Sequence, residues 1–344
     1  MSNYNRIIIR LYNMADYLLE KEKSDKPVII IVVPCYNEEE VLPHTSKQLF
    51  IKIQNLVSTD TISHKSKIVF VDDGSSDGTW AIIEKYFADN PKYYAGIKLT
   101  KNSGHQNTLL CGLLSVKEIA DAVISIDADL QDDINAIDEM ISKYLAGCEI
   151  VYGIRSNRQK DTFFKKITAQ GFYRFMRFLG VNILYNHADF RLMSRKALES
   201  LAEYCEVNLF LRGIVPLLGY NTDFVYYSRE ERFAGTSKYP LGKMLHFAIE
   251  GITSFSIKPM RLVTLLGVFL FIASISMIVY FFIRHFSGHA IVGWASIACS
   301  IWGIGGLILL SIGILGEYIG KIYIETKRRP RYHIEKFLIE QRNV

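Results

Sequence analysis

The sequence predicts an α/β domain with a mostly parallel sheet, followed by two helices long enough to cross a membrane. Three mainly apolar strand candidates, at residues 28–33, 67–71 and 123–126, each lead into an acidic or amide-rich loop. Continuous apolar runs of this kind are typical of strands that helices cover on both faces of a sheet. Residues 262–283 and 291–315 contain no charged side chain. Each run can cross about 30 Å of hydrocarbon as a helix.

Composition agrees with one large domain and a membrane-associated part. The chain has 344 residues, of which 49% are hydrophobic, and a formal net charge of +5. The excess positive charge is concentrated beside the apolar segments, which favours anionic lipid headgroups and argues against nucleic acid as a partner. The five cysteines include no C-x-x-C pair, so neither a disulfide framework nor a zinc site is expected.

The run at residues 123–131 is the most informative stretch, because a strand here leads into two carboxylates one residue apart. Residues i and i+2 of an extended chain share a face, so Asp127 and Asp129 are expected to hold one hard cation, with Gln131 continuing the row. A Mg²⁺ or Mn²⁺ ion bound by few protein oxygens keeps positions open for phosphates, which suggests a nucleotide diphosphate donor. The alternative for an isolated D-x-D is a solvated junction between strand and loop.

Two upstream strands end in matching loops, at residues 34–39 and 72–79. In an open parallel sheet the ligand lies outside the carboxyl ends of the strands, so these loops are expected to share a crevice with Asp129. A third loop, at residues 102–107, follows a strand at 95–99 and opens a helix at 107–116, so its backbone N–H groups are expected to face the donor. His105 is interpreted as a residue of that helix start. The donor-binding candidates are Pro34, Tyr36, Asn37, Glu38, Asp73, Ser103, Gly104 and Asp127.

The motifs at residues 34–38, 72–77 and 127–131, in this order and spacing, resemble those of the family 2 glycosyltransferases with a GT-A fold. The resemblance covers residues 28–240. Two further segments, 188–195 and 232–240, are similar to those of the polyprenyl-phosphate hexose synthases, the bactoprenol glucosyltransferase and dolichol-phosphate mannose synthase group. The resemblance implies a Rossmann-like GT-A catalytic domain with a mostly parallel sheet. Interfacial helices and a two-helix transmembrane hairpin would follow this domain.

The resemblance also implies a reaction and roles for further residues. A hexose would pass from a UDP-sugar to polyprenyl phosphate with inversion, assisted by Mg²⁺ or Mn²⁺. Asp129 would hold the ion, and Asp127 would lie nearer the ribose or in the second shell of the ion. Asp189 would act either as a base or in positioning. Arg155, in a G-x-R motif, would bind phosphate through its planar fork. The lipid-phosphate candidates are Arg155, Lys165, Lys166, Arg232, Ser237 and Lys238, with the two lysines standing where some relatives have a second arginine.

The chain divides into five parts. These are an N-terminal extension at 1–26, expected to be an amphipathic helix; a catalytic domain at 27–238; a juxtamembrane part at 239–260; two transmembrane helices at 261–318; and a basic tail at 319–344. Whether the juxtamembrane part lies in the membrane interface or packs on the enzyme is open. Basic residues crowd the flanks of the hairpin, so the positive-inside rule places the catalytic domain and both termini in the cytoplasm, at the plasma membrane. Membrane lipids, a separate flippase and a downstream transferase are expected partners, and homo-oligomerisation is open.

Two rival functions can be weighed against this one. A processive polysaccharide synthase shares the donor half, but none of the three tryptophans ends a Q-x-x-R-W pattern. A non-catalytic lipid-binding protein would not need the carboxylates and the arginine described above. The donor sugar stays open: glucose is the default, with N-acetylglucosamine, galactose, mannose and an aminoarabinose derivative as alternatives.

Overall fold

The computed structural model describes residues 26–155, 187–206, 210–228, 258–286 and 294–340. The expected N-terminal helix and most of the juxtamembrane part lie outside the described residues. So do five of the predicted lipid-phosphate contacts, Lys165, Lys166, Arg232, Ser237 and Lys238.

Within the described residues, the sheet has eight strands. They are β1 (Ile29–Cys35), β2 (Lys67–Asp72), β3 (Tyr94–Leu99), β4 (Ala122–Ser125), β5 (Ile150–Arg155), β6 (His187–Ser194), β7 (Thr222–Tyr227) and β8 (Ile334–Leu338). Their order in the sheet is β7-β5-β6-β4-β1-β2-β3-β8. The pairs β1–β2, β2–β3, β1–β4 and β5–β7 are parallel. The strand β6 runs antiparallel to β4 and β5, and β8 runs antiparallel to β3. A mostly parallel sheet is therefore confirmed.

Helices cover both faces of the sheet, which explains why β1 is apolar at every position. Successive β1 residues, such as Ile31 and Val32, belong to two different buried clusters, one on each face of the sheet. The helices that cover the sheet are α1 (Leu42–Ser58), α2 (Thr79–Asp89), α3 (His105–Val116), α4 (Ala136–Leu145), α5 (Arg195–Ala202) and α6 (Leu211–Leu217). The helices α1, α2 and α4 contribute to the first cluster, and α3, α5 and α6 contribute to the second.

The helix α3 packs very closely on the sheet at Gly112. A Cβ atom at this position would lie 2.4 Å from Cγ1 of Val32 and 2.8 Å from Cγ2 of Val71. Both distances are shorter than real Cβ contacts, so only glycine lets the helix approach β1 and β2 this closely. The same helix begins in the predicted donor loop, so this packing fixes the height of that loop above the sheet.

Two long helices, α7 (Lys258–Phe286) and α8 (Trp294–Lys327), lie where the transmembrane hairpin is predicted. Among the described residues, one segment, Ile304–Lys327, is long and apolar enough to cross a membrane, and Met260–Phe269 is a shorter apolar segment. The helix α8 extends beyond residue 315, where the predicted span ends. The chain then returns to the sheet as β8, so residues 334–338 of the predicted basic tail pair with β3.

Candidate active site

The loops after β1 and β2 are joined by hydrogen bonds at the carboxyl edge of the sheet. The backbone N–H of Asn37 donates to Ser75 Oγ at 2.9 Å, and the N–H of Ser76 donates to Asn37 Oδ1 at 2.9 Å. The N–H of Glu38 donates to Thr79 Oγ1, also at 2.9 Å. The predicted convergence of these two loops is therefore confirmed, with Asn37 adopting a left-handed backbone at φ 54°. Pro34 is paired with β2 at the end of β1, and Tyr36 is exposed above it.

The third loop joins this edge through Asp73. Its carboxylate, which is buried, accepts the N–H groups of Ser103 at 2.6 Å and of Gly104 at 3.0 Å. Gly104 has φ 87°, a conformation that favours glycine. The two N–H groups thus point at Asp73, which differs from the expectation that they face a donor phosphate. A role for these residues in donor binding stays a prediction.

Asp127 and Asp129 lie on a turn rather than on a continuous strand. The strand β4 ends at Ser125, the N–H of Leu130 donates to the Asp127 carbonyl at 3.3 Å, and Leu130 has φ 45°. The expected i, i+2 alternation of an extended chain is therefore wrong here, although the two carboxylates remain close enough to repel each other. Gln131 donates its N–H to Asp129 Oδ1 at 3.3 Å.

The electrostatic setting of Asp127 favours a cation. Burial raises the pKa of this carboxyl to about 6, His105 opposes the rise, and the carboxylates of Asp189, Asp132 and Asp129 add to it. Carboxylate oxygens are the ligands that Mg²⁺ and Mn²⁺ prefer, and few of them suffice when phosphates complete the sphere. The described residues contain no group of three or more His, Cys, Asp and Glu that could enclose a metal. The donor set fits an open, substrate-completed site.

Asp189, on β6, is a buried carboxylate at the centre of a charge cluster. Its carboxylate lies 2.8 Å from Arg191 Nη2 and 2.9 Å from Arg212 Nη2, and Arg212 Nε donates to the other oxygen at 3.2 Å. The Nε2 atom of His105 lies 3.4 Å from Asp189 Oδ2 and 3.7 Å from Asp127 Oδ1. His105 therefore stands between the predicted metal-binding carboxylates and Asp189.

The charges of this cluster determine the state of Asp189. Burial alone would raise the pKa of its carboxyl, but Arg212, His105 and Arg191 outweigh burial and hold the pKa well below its ordinary value. The carboxylate is thus ionised near neutral pH, and its oxygens are engaged by the guanidinium groups of Arg191 and Arg212 and by the imidazole of His105. Such a group is a weak proton acceptor.

Arg155, at the end of β5, is held by two further side chains. Its Nε and Nη2 atoms donate to Asp132 Oδ1 at 3.1 and 2.8 Å, and the Tyr227 hydroxyl donates to the same oxygen at 2.6 Å. Burial would lower the pKa of the Arg155 guanidinium, but Asp132 and Tyr227 raise it. These bonds occupy the Nε–Nη2 edge of the guanidinium, and the binding of phosphate by Arg155 stays a prediction.

Sequence reasoning missed five members of this constellation. Asp132, Arg191, Arg212 and Tyr227 were not among the candidates, and His105 was interpreted only as part of a helix start. The spacing of Asp189 and Arg191 placed both on one face of a strand, which was a usable signal. Arg212 lies 23 residues from Asp189 and Tyr227 lies 95 from Asp132, and no local pattern connects residues so far apart.

Comparison with known protein families identifies the class of enzyme to which the chain belongs. The candidate active site is consistent with that class. Residues 30–202 match Glycosyl transferase family 2, and residues 258–322 match the GtrB C-terminal hairpin. The chain therefore belongs to Glycosyl transferase family 2 and is a glycosyltransferase with a GT-A fold. The predicted family and the predicted enzyme class are confirmed.

Individual relatives and solved structures are also similar to this chain. The uncharacterized glycosyltransferase YkoT of Bacillus subtilis (strain 168) is 55% identical over 91% of this chain and 93% of its own length. The SfII prophage-derived bactoprenol glucosyl transferase of Shigella flexneri is 41% identical over 90% of this chain and 97% of its own length. Among solved structures, mannosyl-3-phosphoglycerate synthase from Rubrobacter xylanophilus is 15% identical, with a TM-score of 0.44 over 67% of this chain and 72% of the synthase.

Proposed function

We propose that this chain transfers a hexose, with glucose as the first candidate, from a UDP-sugar to undecaprenyl phosphate, with inversion at the anomeric carbon. One structural observation carries the proposal: an acidic pair and a group of arginines meet at one edge of a parallel sheet. The acidic pair suits the metal-bound diphosphate of a donor, and the arginines suit an anionic acceptor. Relatives named bactoprenol glucosyl transferase, 41% identical over most of the chain, support this choice of acceptor.

The donor side is assigned to the loops after β1, β2 and β4. Asn37, Glu38 and Asp73 lie in the joined loops that would frame the nucleotide. Bound at Asp127 and Asp129, a Mg²⁺ or Mn²⁺ ion would neutralise the charge that develops on the leaving diphosphate. His105 lies against Asp127 and would hold this carboxylate at the crevice.

The acceptor side is assigned to Arg155 and Arg212. A lipid monophosphate has its second pKa near 6, so its oxygen is largely ionised at neutral pH and needs no strong base to attack the sugar. The low pKa of Asp189 favours positioning over proton abstraction, because this carboxylate holds Arg212 through two hydrogen bonds. With its Nε–Nη2 edge on Asp132, Arg155 would meet the phosphate through Nη1. Lys165, Lys166, Arg232, Ser237 and Lys238 stay predicted contacts.

The membrane part of the proposal has both α7 and α8 crossing the bilayer as a hairpin. The match of residues 258–322 to the GtrB C-terminal hairpin and the apolar segment Ile304–Lys327 support it. The positive-inside rule then places the catalytic domain and both termini in the cytoplasm, where nucleotide sugars are made. The charged lipid product would be flipped and used by other proteins.

A direct test uses the purified full chain in lipid nanodiscs. We expect it to transfer a radiolabelled hexose from one member of a panel of UDP-sugars to undecaprenyl phosphate, and not to the free polyprenol. Equal transfer to the free polyprenol would contradict the assigned acceptor, and the absence of transfer from every donor in the panel would contradict the proposed reaction.

A further inference from the structure

A short segment joins the membrane-side helix α8 directly to the catalytic sheet. The helix ends at Lys327 and β8 begins at Ile334, so the six residues 328–333 make the connection. Arg328 has φ 45°, a left-handed conformation that ends the helix. Even fully extended, six residues span only about 20 Å. The end of α8 is therefore held close to the sheet.

The direction of β8 places this junction at the carboxyl ends of the parallel strands, where the candidate active site lies. Because β8 is antiparallel to β3, its first residue, Ile334, lies opposite Leu99, at the carboxyl end of β3. The N–H of Thr100 donates to the His333 carbonyl at 3.0 Å, which extends the pairing by one step. The loop that follows β3 carries the N–H groups bound by Asp73. The end of α8 is thus linked to the carboxyl end of the parallel strands, where the candidate active site lies.

Side chains fix this segment to the domain on both sides of β3. Arg331 Nη2 donates to the carbonyl of Tyr204, which follows α5, at 2.7 Å. Tyr332 packs against the buried cluster that contains α3. On the other side, Lys336 Nζ lies 3.0 Å from a carboxylate oxygen of Glu84 on α2. Residues 328–333, here called the C-terminal connector, and the strand β8 that follows them are therefore built into the domain.

We propose that the C-terminal connector sets the height of the active-site crevice above the membrane and so makes transfer selective for a membrane-embedded acceptor. The inference rests on the proposed function in taking a lipid phosphate as the acceptor. Such a phosphate lies at the headgroup level, where the exposed basic residues Lys327, Arg328 and Arg329 would also lie. A connector of six residues restricts the distance between that level and the crevice, and a longer one would let the crevice move away.

The test lengthens the connector without disturbing its contacts. A twelve-residue Gly-Ser segment is inserted between Arg329 and Pro330, which leaves Arg331, Tyr332 and β8 in place. The matched control carries the same segment after Glu340, beyond β8. For each protein, kcat/KM is measured in nanodiscs for undecaprenyl phosphate and for water-soluble geranyl phosphate, with the same UDP-sugar.

The expected loss in kcat/KM follows from the change in the length of the connector. Effective concentration falls as about the −3/2 power of linker length, so tripling the connector should lower kcat/KM for undecaprenyl phosphate about fivefold. A four-residue insertion at the same place should lower it about twofold. Geranyl phosphate diffuses freely to the crevice, so its kcat/KM should change by less than about twofold. The control insertion should leave both values unchanged.

Two outcomes would overturn the inference while leaving the proposed function intact: no loss with undecaprenyl phosphate in either insertion variant, or an equal loss with both acceptors. If the wild-type chain transfers to neither acceptor, the proposed function fails and the inference fails with it. A thiol-accessibility unfolding curve for each variant separates a loss of fold, which would lower both activities, from a loss of placement.

Discussion

Replacing Asp189 by asparagine removes the only carboxylate that contacts both Arg191 and Arg212 among the described residues. Arg191 is wholly buried, its Nη2 atom donates to Asp189, and its Nε and Nη1 atoms have no hydrogen-bond partner among the described residues. Removing one partner of a buried ion pair leaves an uncompensated charge and costs about 3–5 kcal/mol. Since 1 kcal/mol shifts Tm by about 2–4 °C in a domain of this size, we expect Asp189→Asn to lower Tm by about 10 °C.

The assay follows the exposure of Cys35 and Cys111, two buried free thiols, with a thiol-reactive dye as the full chain is heated in detergent. Asp138→Asn is the matched control, because it also removes a paired carboxylate: Asp138 Oδ2 lies 3.0 Å from Lys52 Nζ, and the Asp138 side chain is 55% exposed. An exposed pair contributes at most about 1 kcal/mol. A Tm shift for Asp189→Asn no larger than that for Asp138→Asn would refute the argument that the buried pair of Asp189 and Arg191 stabilises the fold.

Three other predictions concern single positions. Arg155→Lys should lower kcat/KM for undecaprenyl phosphate about tenfold or more, because a lysine cannot both contact Asp132 and present a planar donor to phosphate; unchanged kinetics would argue against an acceptor role. Gly112→Ala should destabilise the domain by about 1–3 kcal/mol, as overpacking against Val32 does, and an unchanged Tm would contradict the close approach of α3. In a cysteine-free background, Ser287→Cys should react with an impermeant thiol reagent on intact cells and Ser75→Cys should not, whereas the reverse pattern would overturn the topology.

The fold was predictable from local pattern wherever a strand is covered on both faces. The apolar run at 28–33 corresponds to β1, Ile29–Cys35, because helices on both sides exclude water from every position. The strand β8 gave no such signal. Its residues are mostly exposed, it includes Glu335 and Lys336, and it lies at the edge of the sheet. An edge strand that buries little is stabilised by pairing with β3, which the local sequence does not encode.

The candidate site was predictable in part for a similar reason. The loops that follow β1, β2 and β4 could be assigned to one edge, because parallel strands end together. The geometry within the D-x-D run was wrong, because β4 ends at Ser125 and Leu130 turns the chain with a positive φ. The pairing of Asp189 with Arg212 depends on how β6 and α6 meet in three dimensions, and periodicity contains no information on such contacts.

The most direct test of the proposed mechanism compares two neighbouring carboxylates in one assay. The transfer of radiolabelled hexose to undecaprenyl phosphate in nanodiscs is measured for Asp129→Ala and for Asp133→Ala, whose native side chain accepts only a local N–H from Asn135 among the bonds described here. We expect Asp129→Ala to lower kcat about 100-fold or more, because the leaving diphosphate loses its electrostatic stabilisation, while Asp133→Ala stays near wild type. Wild-type turnover by Asp129→Ala, or by the unmodified enzyme after EDTA treatment, would contradict the account.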